Sequence, residues 1–101
     1  DTAPKEQTKK KTDKKDNDYF RQKEFASEQR KLKSIINKNE KRISELEQAI
    51  EELRNAVLQP ELASDYERVL ALTKQISDAE KELEDCYEQW ETASQKLEDM
   101  I

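Results

Sequence analysis

A chain of 101 residues holds one small domain at most, and with 33 % hydrophobic and 43 % charged residues it is too polar for a thick globular core. It has no glycine and no histidine, so positive-φ hairpin turns and zinc sites lack their usual residues. The net charge of −5 conceals a gradient: six lysines against Glu6 and Asp13 within residues 5–15, eight bases against three acids within 19–42, and five bases against sixteen acids within 43–101.

The chain starts Asp1-Thr2-Ala3-Pro4-Lys5, without an initiating Met and without the pattern of a signal peptide, so a fragment of a larger protein is expected. Residues 1–17 hold Lys, Asp, Gln and Thr with no apolar periodicity. They bury too little surface to offset ordering entropy, which predicts a disordered, flexible lysine-rich linker. Asn17 or Asp18 then offers a first N-cap, and a helical hairpin is expected over 18–101.

From there a heptad runs without interruption. One set of seam positions is Gln29, Ile36, Ile43, Ile50 and Val57, and the other is Phe25, Leu32, Asn39, Leu46 and Leu53. Four-three spacing keeps both sets on one helical face. The first helix should run from about 18 to 58, which is roughly 60 Å at 1.5 Å per residue. Pro60 cannot donate to a helix and pushes its predecessor out of helical space, so a tip loop at 59–64 follows. Ser64-Asp65-Tyr66-Glu67 reads as a capping box, with Ser64 capping and Glu67 reaching back. The second helix, about 65–100, carries Val69, Leu72, Ile76, Ala79, Leu83, Cys86, Trp90, Ala93, Leu97 and Met100 at the same spacing.

Two seams of similar length joined by about seven residues should fold back on each other. The predicted fold class is therefore all-α, a two-helix antiparallel coiled-coil hairpin with a disordered N-terminal linker. Two registers are open. The favoured one sets Leu53 against Val69, Ile43 against Ala79, Leu32 against Trp90 and Phe25 against Leu97. The other lies one heptad along, with Trp90 opposite Asn39 and the seam isoleucines against Ala or Cys. It matches sizes better but leaves Phe25 without a partner and lengthens the loop. In either, the bases of helix 1 (Arg21, Lys23, Arg30, Lys31, Lys33, Lys38, Lys41, Arg42) lie beside the acids of helix 2, from Glu80 to Asp99, which predicts a ladder of exposed ion pairs.

Each feature that might carry chemistry has a plain structural counterpart. The lysines Lys9, Lys10, Lys11, Lys14 and Lys15 have the charge to neutralise nucleic-acid phosphates, or they form a solvated tether. Arg21, Lys23, Lys31, Lys38 and Lys41 either track a phosphate backbone or belong to the ladder; Lys31, Lys38 and Lys41 point away from helix 2 and are left over for a partner. Trp90 and Cys86 occupy seam positions and read as core, and Asn39 as a polar seam residue that fixes register. Tyr19 and Phe20 could staple the first turn, pack on the parent protein or stack on bases. Leu58, Leu62, Tyr66 and Leu70 read as a cluster closing the tip, with a contact patch as the alternative. No pair of carboxylates is arranged for acid–base work and no glycine-rich phosphate loop exists, so this fragment is not expected to be an enzyme. No apolar run approaches the roughly 20 residues of a membrane span, and a lone reduced cysteine fits the cytoplasm.

The order of motifs is more specific than the periodicity. A lysine-rich lead-in is followed by Tyr19-Phe20, Lys23-Glu24 and Arg30-Lys31-Leu32, then by Pro60-Glu61-Leu62, Asp65-Tyr66-Glu67-Arg68-Val69, Leu83-Glu84 and Tyr87-Glu88-Gln89-Trp90-Glu91. Over residues 18–101 this resembles the C-terminal coiled-coil domain of the ABC-F family, proteins with two ATP-binding cassettes and no membrane spans. The resemblance implies a parent ATPase that acts on the ribosome in translation or antibiotic resistance, with this hairpin contacting DNA, ribosomal RNA or the ribosome. ATP would be the cofactor of the parent, whose cassettes would lie upstream; no cofactor is expected in this fragment. The acidic second helix departs from what a broad DNA-binding surface needs. Two functions follow as expectations: a monomeric accessory domain making nonspecific nucleic-acid contacts, or a purely structural coiled coil serving as a spacer or dimerisation arm.

Overall fold

The structure is a computed structural model that describes the side chains of residues 18–101. The side chains of the expected linker at 1–17, its lysines among them, lie outside the described residues, and the helix is continuous through Asn17 and Asp18, where the sequence predicted its start. Helix α1 spans Thr2–Val57, a short 3-10 turn spans Pro60–Leu62, and helix α2 spans Tyr66–Met100. The chain divides into two units, Asp1–Lys31 and Leu32–Ile101, and the hairpin lies within the second.

In that unit the heptad folds as its spacing dictates. Leu32, Ile43, Leu46 and Ile50 of α1 and Cys86 and Ala93 of α2 are buried. Ile43, Leu46 and Cys86 form the centre of the seam, with Ala79, Leu83 and Trp90 packed on it. No side chain described is wholly enclosed, because two helices cover only one face of each other.

One ion pair decides the register. Arg54 Nη2 donates to Glu80 Oε1 at 3.1 Å. In the favoured register Arg54 would stand opposite Arg68, twelve residues from Glu80, or about 18 Å along the axis. No side chain spans that. One heptad along, Arg54 stands opposite Gln75 and Arg42 opposite Tyr87. Glu80 and Glu82 are then each five residues away, within reach of an arginine. The favoured register is therefore overturned, and the seam layers are Leu53 with Ile76, Ile50 with Ala79, Leu46 with Leu83, Ile43 with Cys86, Asn39 with Trp90 and Ile36 with Ala93. One physical reason is volume. Every seam isoleucine from Ile36 to Ile50 now faces Ala or Cys, which lets the backbones approach, whereas the other register would set Ile50 against Leu72 and Trp90 against Leu32. Phe25, which that register had paired with Leu97, is 44 % exposed.

The tip turns without glycine and without a positive φ among the described residues. Leu58 N donates to Arg54 O and Asn55 O, and Gln59 N to Ala56 O, so the last carbonyls of α1 are satisfied by a tightening coil. Pro60 opens the 3-10 turn, where its missing N–H costs nothing. Ala63 N then bonds to Pro60 O and Asp65 N to Leu62 O. This winding starts α2 one residue later than the capping box predicts. Asp65, not Ser64, is the N-cap, and its side chain accepts from Arg68 N at 3.2 Å. A carboxylate there also faces the positive end of the helix dipole.

Candidate nucleic-acid interface

Of the ten bases expected to meet nucleic acid, Lys9, Lys10, Lys11, Lys14 and Lys15 lie outside the described residues. Arg21, Lys23 and Lys31 belong to the first unit and Lys38 and Lys41 to the second, and all five are exposed. Counted from the seam, Lys38 and Lys41 occupy outward heptad positions three residues apart, one turn of helix, which puts both cations on the same outer stripe. Neither makes an ion pair with the described residues.

The expected ladder is sparser than its charges suggested. Within the second unit, Arg42 alone of its predicted bases is paired across the seam. Its Nε and Nη2 donate to the two carboxylate oxygens of Glu82, the latter at 2.9 Å, and Nη1 lies 3.9 Å from Glu45. This bidentate bond raises the Arg42 pKa and holds the Glu82 carboxyl below its ordinary value. Arg54, which the sequence reading did not place in the ladder, makes the second bridge. The signal that would have found it is the register itself. Lysines at outward positions point where no α2 carboxylate stands, so geometry divides the cations into paired arginines and free lysines.

The remaining sequence candidates resolve into structure. Asn39 is buried at 8 % exposure, and its Nδ2 donates to Ile35 O at 2.9 Å within its own helix. Cys86 is buried in the seam, and that burial, with Glu82 nearby, pushes its thiol pKa up, away from nucleophilic chemistry. In the first unit Tyr19 and Phe20 pack edge to face at 6.1 Å, and Lys23 Nζ lies 5.8 Å from the Tyr19 ring centre. Both rings remain exposed. At the tip the closing cluster is not made. Leu58 is 78 % exposed, Tyr66 75 % and Leu70 57 %, with Leu62 alone half-buried, because the 3-10 winding satisfies the turn through its backbone. Among the described residues no group of three or more His, Cys, Asp or Glu could hold a metal, and no helix is long and apolar enough to cross a membrane.

No curated protein and no solved structure matches this chain. The family model described as ABC transporter C-terminal domain matches residues 19–95, from the first aromatic of α1 to the last turns of α2. A match over that span covers the first seam, the tip and the second seam as far as Ala93, so the chain belongs to the ABC transporter C-terminal domain family and is a helical accessory domain of an ABC protein.

Proposed function

We propose that this hairpin is the accessory arm of an ABC-F ATPase and that it touches nucleic acid, either DNA or ribosomal RNA, through phosphate contacts. The carrying observation is the division of cations. Arg42 and Arg54 are taken up by α2 carboxylates, whereas Lys38 and Lys41 are exposed on the outer stripe and unpaired among the described residues. Free, exposed ammonium groups on a rigid helix meet what phosphate contact requires, which is charge and reach rather than a shaped pocket. Arg21, Lys23 and Lys31 of the first unit and the lysines of residues 5–15 extend the same chemistry, and sixteen acids against five bases in residues 43–101 confine it to the N-terminal half of the sequence. Nothing in this arrangement reads base edges, so binding is indifferent to sequence. ATP belongs to the cassettes of the parent, and this reading assigns the described residues no role in holding it.

Affinity for duplex DNA and for structured RNA, measured across a salt series, tests the reading. It predicts a logarithmic fall with salt whose slope is about 0.7–0.9 per phosphate engaged. No detectable binding at low salt removes it. A second reading, a protein-contacting spacer, draws on the exposed Leu58, Tyr66 and Leu70 at the tip. It predicts that Y66S/L70S leaves nucleic-acid affinity unchanged while abolishing attachment to a protein partner.

A further inference from the structure

The seam contains one layer that is not apolar. Asn39 and Trp90 face each other in the observed register, between the Ile43–Cys86 and Ile36–Ala93 layers. Trp90 Nε1 is buried and has no hydrogen-bond partner. Asn39 is buried as well, and its Nδ2 is committed to Ile35 O, which leaves Oδ1 as an acceptor. A buried donor without an acceptor therefore sits across the seam from a buried side chain with an acceptor to offer.

The competing register explains why this layer matters. Sliding α2 by one heptad carries each seam residue onto another seam position, so the apolar stripes still meet and hydrophobic burial discriminates weakly between the two. In the slid register Asn39 faces Leu83 and Trp90 faces Leu32. The indole N–H and Asn39 Oδ1 would then each face leucine and lose each other, while the Nδ2 bond to Ile35 O, made within α1, survives the slide; an indole donor buried against leucine is the costly outcome. The exposed pairs of Arg42 and Arg54 add little to the choice.

We infer that Asn39 and Trp90 form a single polar layer, the indole N–H served by the Asn39 carboxamide oxygen directly or through one water, and that this layer holds the hairpin in its register against the alternative one heptad away. Asn39 is thus a positioning residue for the whole arm. Which stretch of α2 lies alongside Lys38 and Lys41 depends on it.

The single cysteine supplies a reporter for the test. Cys86 faces Ile43 in the observed register and would face Ile36 in the slid one. Disulfide formation by I43C and by I36C with Cys86 is followed in the full chain, with diamide as the oxidant and the product resolved as a cross-linked monomer. In the wild-type background I43C should close at least about tenfold faster than I36C. In N39L, which replaces the amide with an ordinary seam residue and keeps the helix, the I36C rate should rise by about tenfold. W90F keeps an aromatic ring, removes the N–H and should release I36C in the same way. Rates unchanged by both N39L and W90F would overturn the inference. Release by N39L with W90F silent would overturn the shared layer.

Discussion

Replacing Leu46 with alanine tests how much of the stability lies in the seam. Leu46 is 4 % exposed and packs with Ile43 and Cys86 at its centre, beneath Leu83, Ala79 and Trp90. Buried leucine-to-alanine changes cost about 2–5 kcal/mol, depending on how far the site collapses. A seam open along both edges relaxes more readily than an enclosed core, so the lower end, about 2 kcal/mol, applies here. Alanine is itself the better helix former, and the intrinsic effect of the change on α1 is slightly favourable. The loss is therefore one of packing alone. Urea unfolding followed by helical circular dichroism measures it; with a slope of about 1 kcal/mol per molar, the midpoint should fall by about 2 M. L58A, at a position 78 % exposed, is the control and should move the midpoint by less than about 0.5 M. Equal midpoints for L46A and L58A would refute the buried seam.

Three further outcomes follow. D65A should cost about 1 kcal/mol through loss of the bond to Arg68 N, with S64A near neutral, and thermal melts of the pair distinguish the observed cap from the capping box. The Glu82 carboxyl is held below its ordinary value by Arg42, so the pair's contribution is complete at neutral pH and vanishes as pH falls through that lowered value. Melting temperatures from about pH 7 to pH 3 should accordingly decline less steeply in E82Q than in wild type, and identical acid limbs would contradict the pair. K38Q/K41Q should leave the melting temperature unchanged and reduce the salt slope of nucleic-acid binding by about 1.4–1.8, and an unaltered slope would remove these two lysines from the interface.

The two helices, the seam residues and the turn at Pro60 were legible because four-three spacing and a missing backbone donor act locally. The register was not. A slide of seven residues maps the stripe onto itself, so the pattern is silent about it, and the choice falls to side-chain volume and one polar layer, with the Arg54–Glu80 pair reporting the outcome. Asp65 displaced Ser64 as the cap for a related reason: the 3-10 turn preceding it sets the phase of α2, and that turn arises from backbone bonds no side chain announces. At the tip, Leu58, Tyr66 and Leu70 stand exposed, as in the alternative reading and not as a closing cluster, because apolar residues beside a turn ordinarily close it and here the backbone does so alone. Among the candidate site residues the sequence supplied the identities and the outward phase of Lys38 and Lys41, but charge counts could not separate them from Arg42, whose flanking position brings it to Glu82.

Everything rests on α1 from Leu32 onward packing against α2 of the same molecule. Nuclear Overhauser contacts in an equal mixture of isotope-labelled and unlabelled protein measure this directly. The prediction is that contacts from Ile43 and Leu46 methyls to Leu83 and Trp90 appear only within labelled molecules. The same contacts between labelled and unlabelled molecules would show a helix-exchanged dimer and contradict the hairpin.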